Sequence, residues 1–247
     1  TPFFNVYICN LLLSCFVGIV FLYSNLFLKN EKRFEYYKNV RNICSVWLHY
    51  TIRTNVCQWL FAENFLSPIQ DWCRLNRIQF TGHMLHEDSL TAQTCMLGSV
   101  MRAYEYMDVP GVDVLMEHNY CFWIVKQLQS AARQLGKPWL LSELYGATGW
   151  QFDFEGHKAV GDWQALFGIN LRCHHLSWYS MQGEGKRDYP ASISYQSAWY
   201  PYYSYIEDYF ARLHVLLSQG EPLCDLLIVY PVESLWCRIY PKWSWQL

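Results

Sequence analysis

Short apolar runs alternate along the chain with longer segments in which apolar residues recur at helical spacing. The short runs predict strands at residues 77–83, 112–115, 138–142 and 168–176, the second of them beginning after Pro110-Gly111. The longer segments predict helices at residues 34–65, 69–76, 90–106, 119–135, 157–167 and 199–219. Ser67 followed by Pro68 predicts a new helix start before residue 69. Strands separated by helices pair in parallel with right-handed crossovers, so the pattern predicts an α/β fold.

Polar side chains follow each of the four predicted strands. Because the carboxyl ends of parallel strands meet at one edge of a sheet, such clusters are typical of the active-site rim of a (β/α)8, or TIM, barrel. A glycine-rich phosphate-binding sequence follows none of the strands, which argues against a dinucleotide-binding or P-loop fold. The polar clusters are Thr81, His83, His86, Glu87 and Asp88; Glu117, His118 and Asn119; Ser142, Glu143 and Tyr145; and His174, His175 and Ser177.

The number of strands predicts a partial barrel. A complete barrel takes about 250 residues, and only four of its strands can be placed here. We therefore expect the C-terminal half of a (β/α)8 barrel at residues 31–222, as a fragment of a larger enzyme. The apolar run at residues 226–230 is assigned to the start of a following accessory domain, residues 223–247.

An apolar segment at residues 1–30 precedes the predicted barrel half. Residues 11–28 read LLLSCFVGIVFLYSNLFL, which is just long enough to span a bilayer, and a charged cluster follows them. Three interpretations stay open: a membrane anchor, a signal peptide without the usual basic start, or a stretch foreign to the functional domain. A membrane partner is expected only under the first interpretation.

Composition narrows the possible functions. The 19 Lys+Arg against 21 Asp+Glu give a net charge of -2, which excludes a basic, phosphate-binding surface and hence a nucleic-acid partner. With 52% hydrophobic and 16% charged residues, the chain folds rather than staying disordered. Aromatic residues make up 18%, a supply of flat faces that suits either a sugar-binding cleft or a large core. The ten cysteines form no CxxC pair, so their spacing predicts no metal site.

Two carboxylates at the ends of different strands are the candidate catalytic residues. Glycosidic bond cleavage needs one carboxyl group that stays protonated to donate to the leaving oxygen and one that is ionised. Glu143, which directly follows an apolar run, and Glu87 are predicted to face one cleft. Glu117 is a third candidate, placed among the substrate-binding residues.

Histidines and aromatic loops supply the candidate substrate-binding groups. His83 lies four residues before Glu87 in the chain. Only one of the neighbours His174 and His175 can face the cleft, because adjacent strand residues point to opposite faces. Two long polar and aromatic loops follow the third and fourth strands and are typical of binding loops. The loop side chains predicted to contact sugar are Trp150, Trp178, Tyr179, Arg187 and Asp188.

Five segments of the chain carry a family resemblance: TGHMLHEDSLTAQ, YMDVPGVDVL, KQLQSAARQLGKPWLLSELYGATGW, HKAVGDWQALFGINLRCHHLSWYSMQGEGKRDYPASISYQS and LLIVYPVESLW. They resemble the second half of large glycoside hydrolases similar to glycoside hydrolase family 106, the α-L-rhamnosidases. The resemblance implies a (β/α)8 catalytic domain, an inverting mechanism, a carbohydrate substrate and assistance by Ca²⁺. The family's acidic motif on an earlier strand has no counterpart in the apolar residues 11–28.

Two other functions stay open at this point. A retaining enzyme of the β-galactosidase type would use the same barrel with Glu143 as nucleophile. A carbohydrate-binding fragment without catalytic activity would use the aromatic loops alone.

Overall fold

The computed structural model describes residues 43–118, 120–175, 177–178, 180–183, 189, 191–220 and 222–236, with side chains from residue 51 onward. Within these ranges the chain forms two compact units. The first contains residues 43–80, 85–106 and 228–236, and the second contains residues 81–84 and 107–227. The predicted segment 1–30 lies outside the described residues. No helix in the described ranges is long and apolar enough to cross a bilayer.

The first unit is helical. Its helices are α1 (Ile43–Phe61), a π-helical turn (Ala62–Leu66), α2 (Ser67–Leu75), α3 (Leu90–Met96), α4 (Val100–Ala103) with a 3-10 turn (Tyr104–Tyr106), and α8 (Val232–Trp236). The C-terminal helix α8 is held to this unit by the Trp236 indole, which donates to the carbonyl of Gly98 at 3.1 Å. Arg102 lies over the same indole ring and pairs with Glu233 at 3.0 Å.

Two details of the first unit differ from the prediction. Ser67 does not cap a new helix, because the chain runs on from α1 through the π-helical turn, where the Ser67 amide donates to the carbonyl of Ala62. This wider turn admits Pro68, which has no N–H to donate. The single helix predicted at residues 90–106 is broken, because Gly98 adopts a positive φ of 101° between α3 and α4.

The second unit is built on a four-stranded parallel sheet, which confirms the predicted α/β fold. Its elements are β1 (Thr81–Gly82), β2 (Val109–Asp113), α5 (Phe122–Gln134), β3 (Leu141–Leu144), α6 (Phe154–Leu166), β4 (Leu171–His174), a 3-10 turn (Tyr200–Tyr202) and α7 (Ser204–Leu217). The strands lie side by side in the order β1-β2-β3-β4, and every pair is parallel.

The strand bounds differ from the prediction in a way that matters for the site. Strand β2 includes Pro110 and Gly111, which the sequence pattern places before the strand. Strand β3 begins at Leu141 rather than at residue 138, so Glu143 lies inside the strand instead of following it.

The core of the second unit lies on the side of the sheet that the helices cover. Leu144, Tyr145, Phe152, Val160 and Ala191 form one buried cluster there. The Asp153 carboxylate caps α6 by accepting from the amide of Gly156 at 3.0 Å. Burial of these large side chains supplies the hydrophobic free energy that holds α6 against the sheet.

Candidate functional site

Strand register brings one set of side chains onto a single face of the sheet. Asp113 on β2 is aligned with Glu143 on β3, which is aligned with Cys173 on β4. Paired residues of parallel strands point to the same face, so all three side chains lie together near the carboxyl ends of the strands. We call this the carboxylate face, and it is formed by His83, Asp113, Glu143, Cys173 and His175.

The opposite face carries the alternate residues of the same strands. We call it the helix face, formed by Ser142, Leu144, Arg172 and His174 together with Glu207 of α7, which bonds to the last two. His174 and His175 are neighbours in the chain and contact different carboxylates on the two faces. Of these two predicted substrate-binding histidines, the carboxylate face holds His175.

A missing side chain lets β1 come close to β2. A Cβ atom at position 111 would lie 2.7 Å from the carbonyl oxygen of Gly82. Glycine at position 111 therefore permits this approach, and His83, one residue beyond β1, reaches across to the carboxylates of β2 and β3.

Imidazole groups lie on both sides of the Glu143 carboxylate. His83 Nε2 is 3.3 Å from Glu143 Oε2 and 3.9 Å from Asp113 Oδ2. His175 Nε2 is 3.9 Å from the other oxygen, Glu143 Oε1. The Glu143 side chain is only 11% exposed, whereas that of Asp113 is 34% exposed. The carboxylate face therefore holds two carboxylates and two imidazoles in one largely buried cluster.

This crowding changes the acidity of two neighbours. Burial raises the pKa of Asp113, and the charge of Glu143 adds to the rise, while His83 and His175 oppose it. Burial, with a further contribution from Glu143, raises the pKa of the Cys173 thiol to about 11. Cys173 therefore carries its proton at neutral pH and is a poor nucleophile or metal ligand.

The loop after β3 has an unusual backbone. Tyr145 and Ala147 adopt positive φ angles of 71° and 57°, which side chains with a Cβ rarely adopt. A Cβ at Gly146, between them, would lie 2.7 Å from the His175 ring. The loop is fixed by the Ala147 amide, which donates to the carbonyl of Tyr189 at 2.7 Å. Strain of this kind is stored preferentially at functional sites.

Two predicted sugar-binding aromatics stack on one another. The rings of Trp150 and Trp178 lie 5.0 Å apart, with 11° between their planes. They border an open pocket of about 400 Å³. The pocket is lined by Ala147, Thr148, Gly149, Trp150, Gln151, Trp178 and Tyr189.

On the helix face, Glu207 forms a strong ion pair. Its carboxylate accepts from Arg172 at 2.6 Å and lies 3.1 Å from His174 Nε2. Burial alone would raise the pKa of Glu207, but the hydrogen bond to His174 and the charge of Arg172 outweigh it and lower the pKa to about 2. Arg172 also donates to the Tyr145 hydroxyl at 3.1 Å, which donates in turn to the carbonyl of His157. The predicted substrate-binding residue His174 is therefore held in a structural network.

The other predicted site residues fall elsewhere. Glu87 belongs to the first unit, where it is buried and accepts from the Tyr104 hydroxyl at 3.3 Å. Its pairing with Glu143 stays a prediction. Glu117 is exposed. Tyr179, Arg187 and Asp188 lie outside the described residues.

Asp113 is the site residue that the sequence analysis missed. The sequence pattern places it inside the apolar run at residues 112–115, as part of a buried strand. The available signal is a charged residue with apolar neighbours on both sides, in a strand that begins three residues earlier than predicted.

The family resemblance implies assistance by Ca²⁺. The donor atoms of the carboxylate face can be compared with the ligands that this ion prefers. Ca²⁺ takes six to eight oxygen ligands, from carboxylates, carbonyls and water. One donor atom each from His83, Asp113 and Glu143 lies within 4.8 Å of the others, and one of these atoms is an imidazole nitrogen. This mixed set of few donors does not fit Ca²⁺, so no catalytic step is derived through calcium.

Comparison with protein-family models, with curated proteins and with solved structures finds no match to this chain.

Proposed function

We propose that the second unit carries the catalytic centre of a glycoside hydrolase, with Asp113 and Glu143 as its two carboxylates. The observation that supports it is their placement on adjacent parallel strands, at the same register position and on the same face. One oxygen of each lies within 4.8 Å of the other. The proposal thus keeps Glu143 from the sequence analysis and replaces its partner Glu87 with Asp113.

The surroundings suggest different roles for the two groups. Asp113, with its raised pKa, suits the proton donor to the leaving oxygen. Glu143 is less exposed and has an imidazole beside each oxygen, which holds its side chain in one orientation. It suits the role of nucleophile or base.

The strand order supports a barrel half as the scaffold. The four strands lie in sequence order without a change of direction, as in a (β/α)8 barrel, whereas a doubly wound sheet reverses direction at its ligand site. The cluster lies at the carboxyl ends of the strands, where barrel enzymes place their active sites.

The distance between the nearest oxygens of Asp113 and Glu143, at most 4.8 Å, favours the retaining alternative over the inverting mechanism that the family resemblance implies. Retaining enzymes hold their carboxyl groups about 5 to 5.5 Å apart, and inverting enzymes about 6.5 to 9.5 Å apart. Proton NMR of the first-formed sugar would distinguish the two: retention is expected, and inversion would contradict the assignment of Asp113 as the partner.

The direct test is hydrolysis of aryl glycosides, with aryl α-L-rhamnoside first among the substrates because of the family resemblance. Glu143→Gln is expected to lower kcat by at least about 10³. Glu155→Gln is the matched control, at an exposed glutamate of α6, and it is expected to leave kcat unchanged. Activity of Glu143→Gln within tenfold of the parent would remove Glu143 from the mechanism.

Glu87→Gln, assayed in parallel, separates the two candidate pairs. A loss of about 10³ there, together with unchanged activity of Asp113→Asn, would restore the pair predicted from the sequence. The reverse result is expected.

The aromatic pocket favours a second candidate function, carbohydrate binding without catalysis. Stacked tryptophans beside an open pocket can bind a sugar without any carboxylate. If the chain cleaves no glycoside but binds oligosaccharides in calorimetry, and Trp150→Ala abolishes that binding while Glu143→Gln does not, this second function replaces the first.

A further inference from the structure

The hydrogen bond of the His83 ring fixes which of its nitrogens carries the proton. His83 Nδ1 lies 3.1 Å from the carbonyl oxygen of Met84. A carbonyl can only accept, so Nδ1 carries a hydrogen in this bond. In the neutral ring the lone pair is therefore on Nε2, the atom that faces Asp113 and Glu143.

Histidines that bind metal ions usually show this arrangement. The ring nitrogen that does not bind the metal donates to a backbone carbonyl or carboxylate, which orients the ring and sets the tautomer. One donor atom each from His83, Asp113 and Glu143 also converges on the same point, with all three within 4.8 Å of one another. The contact to Met84 is thus a second observation, separate from the three converging donors, that indicates a bound ion.

The distances fit a small ion. Two ligands on a tetrahedral ion with bonds of about 2.0 to 2.1 Å lie roughly 3.3 Å apart. His83 Nε2 is 3.3 Å from Glu143 and 3.9 Å from Asp113. The distance between His83 Nε2 and Asp113 Oδ2 would shorten by about half an ångström around such an ion, a movement that the partly exposed Asp113 side chain can make.

We propose that His83, Asp113 and Glu143 bind a first-row transition-metal dication, of which Zn²⁺ is the best match. One imidazole and two carboxylates suit Zn²⁺, which is usually bound tetrahedrally by nitrogen, sulfur and oxygen ligands. Three protein ligands leave the fourth position to water. The inference goes beyond hydrolysis, since it concerns binding of the ion alone. An ion at this place occupies both carboxylates of the proposed pair, so it inhibits the proposed hydrolysis.

Isothermal titration calorimetry of the chain with ZnCl₂ and CaCl₂, after treatment with a chelator and under reducing conditions, tests the proposal. We expect a Zn²⁺ site at least about 100-fold tighter than any Ca²⁺ site. His83→Ala is expected to weaken that site by at least about tenfold. His118→Ala, at an exposed histidine, is the matched control and is expected to leave it unchanged.

A second measurement distinguishes the proposed site from zinc bound by other histidines or thiols. It also shows whether a variant loses the ion because it folds poorly. Co²⁺ in the wild-type chain is expected to give the visible absorption of a tetrahedral nitrogen and oxygen site, and the band is expected to vanish in His83→Gln with unchanged circular dichroism. Zinc affinity equal in wild type and His83→Ala, equal binding of Zn²⁺ and Ca²⁺, or a cobalt band that survives in His83→Gln would each overturn the proposal. None of these results depends on glycosidase activity, so the two proposals fail separately.

Discussion

On the helix face, Glu207 lies between Arg172 and His174, and on the carboxylate face, Glu143 lies between His83 and His175. Both carboxylates thus have two basic neighbours. On the helix face burial would raise the pKa of Glu207, but the hydrogen bond to His174 and the charge of Arg172, a permanent cation, lower it to about 2. On the carboxylate face burial, together with the charge of Glu143, raises the pKa of a second carboxylate, Asp113, although both histidines oppose the rise.

The difference shows what each face is built for. A carboxylate with a close guanidinium is satisfied in the folded state and stabilises the fold. The contacts described for Asp113 and Glu143 are to imidazoles, which carry a charge only when they are protonated, so the charge balance of the carboxylate face depends on protonation. The helix face should therefore lose stability when a charge is removed, and the carboxylate face should gain it.

The largest expected effect is that of Arg172→Met. Arg172 is nearly buried, bonds to Glu207 and Tyr145, and lies over the Phe210 ring at 4.0 Å. Its removal should lower the free energy of unfolding by about 2 kcal/mol, less than for a fully buried pair, because Glu207 is partly exposed and keeps His174. Denaturant unfolding measures this change. Arg212→Met, at an exposed arginine of the same helix as Glu207, is the control, and an equal loss in both variants would contradict the structural role of Arg172.

A change of opposite sign is expected for Asp113→Asn on the carboxylate face. A raised pKa means that the folded state binds the proton more tightly than the unfolded state, so stability falls as the pH rises through the pKa of Asp113. The amide has no charge to bury, and the variant should be more stable at pH 7 by up to about 1 kcal/mol. Thermal melting with a chelator present measures it, with exposed Asp208→Asn as control. Destabilisation by Asp113→Asn alone would show that the two faces do not differ in this way.

The smallest expected effect is the acid dependence carried by Glu207. Its pKa is lowered from 4.5 to about 2, so its stabilising contribution is present above about pH 4.5 and is lost as the pH falls toward 2. Glu207→Gln should therefore be less stable than the parent at pH 6, by less than about 1 kcal/mol for this half-exposed group, and the difference should shrink between pH 4.5 and 2. Melting curves across this range, with Glu117→Gln for comparison, measure it. A constant difference at every pH would rule out the ion pair as its source.

The sequence pattern predicted the parallel α/β sheet because it depends on periodicity and on the helices between the strands. The positions of the four strands were predicted to within a few residues. The bounds were less accurate because they depend on neighbouring strands. Pro110 and Gly111 resemble a turn when read alone, and only the approach of β1 to Gly111 shows why they lie in a strand.

The candidate site was predictable only in part. Glu143 and His83 stood out as polar residues beside apolar runs, and the alternation of side chains implied that His174 and His175 diverge. The neighbourhood of Asp113 depends on strand register, which a single sequence does not contain. For the same reason, nothing in the sequence distinguished His174, held by Glu207 on a helix far along the chain, from His175.

Gly111, an uncharged residue without a side chain, sets the distance between β1 and β2. A methyl group there would meet the carbonyl of Gly82, a backbone atom that cannot swing aside, so β1 would have to move away from β2. His83 follows β1, whereas the two carboxylates belong to β2 and β3, so such a shift would alter the distance between imidazole and carboxylates while every charged group stayed in place. For protein engineering, this position offers a way to vary the geometry of the site independently of its chemistry.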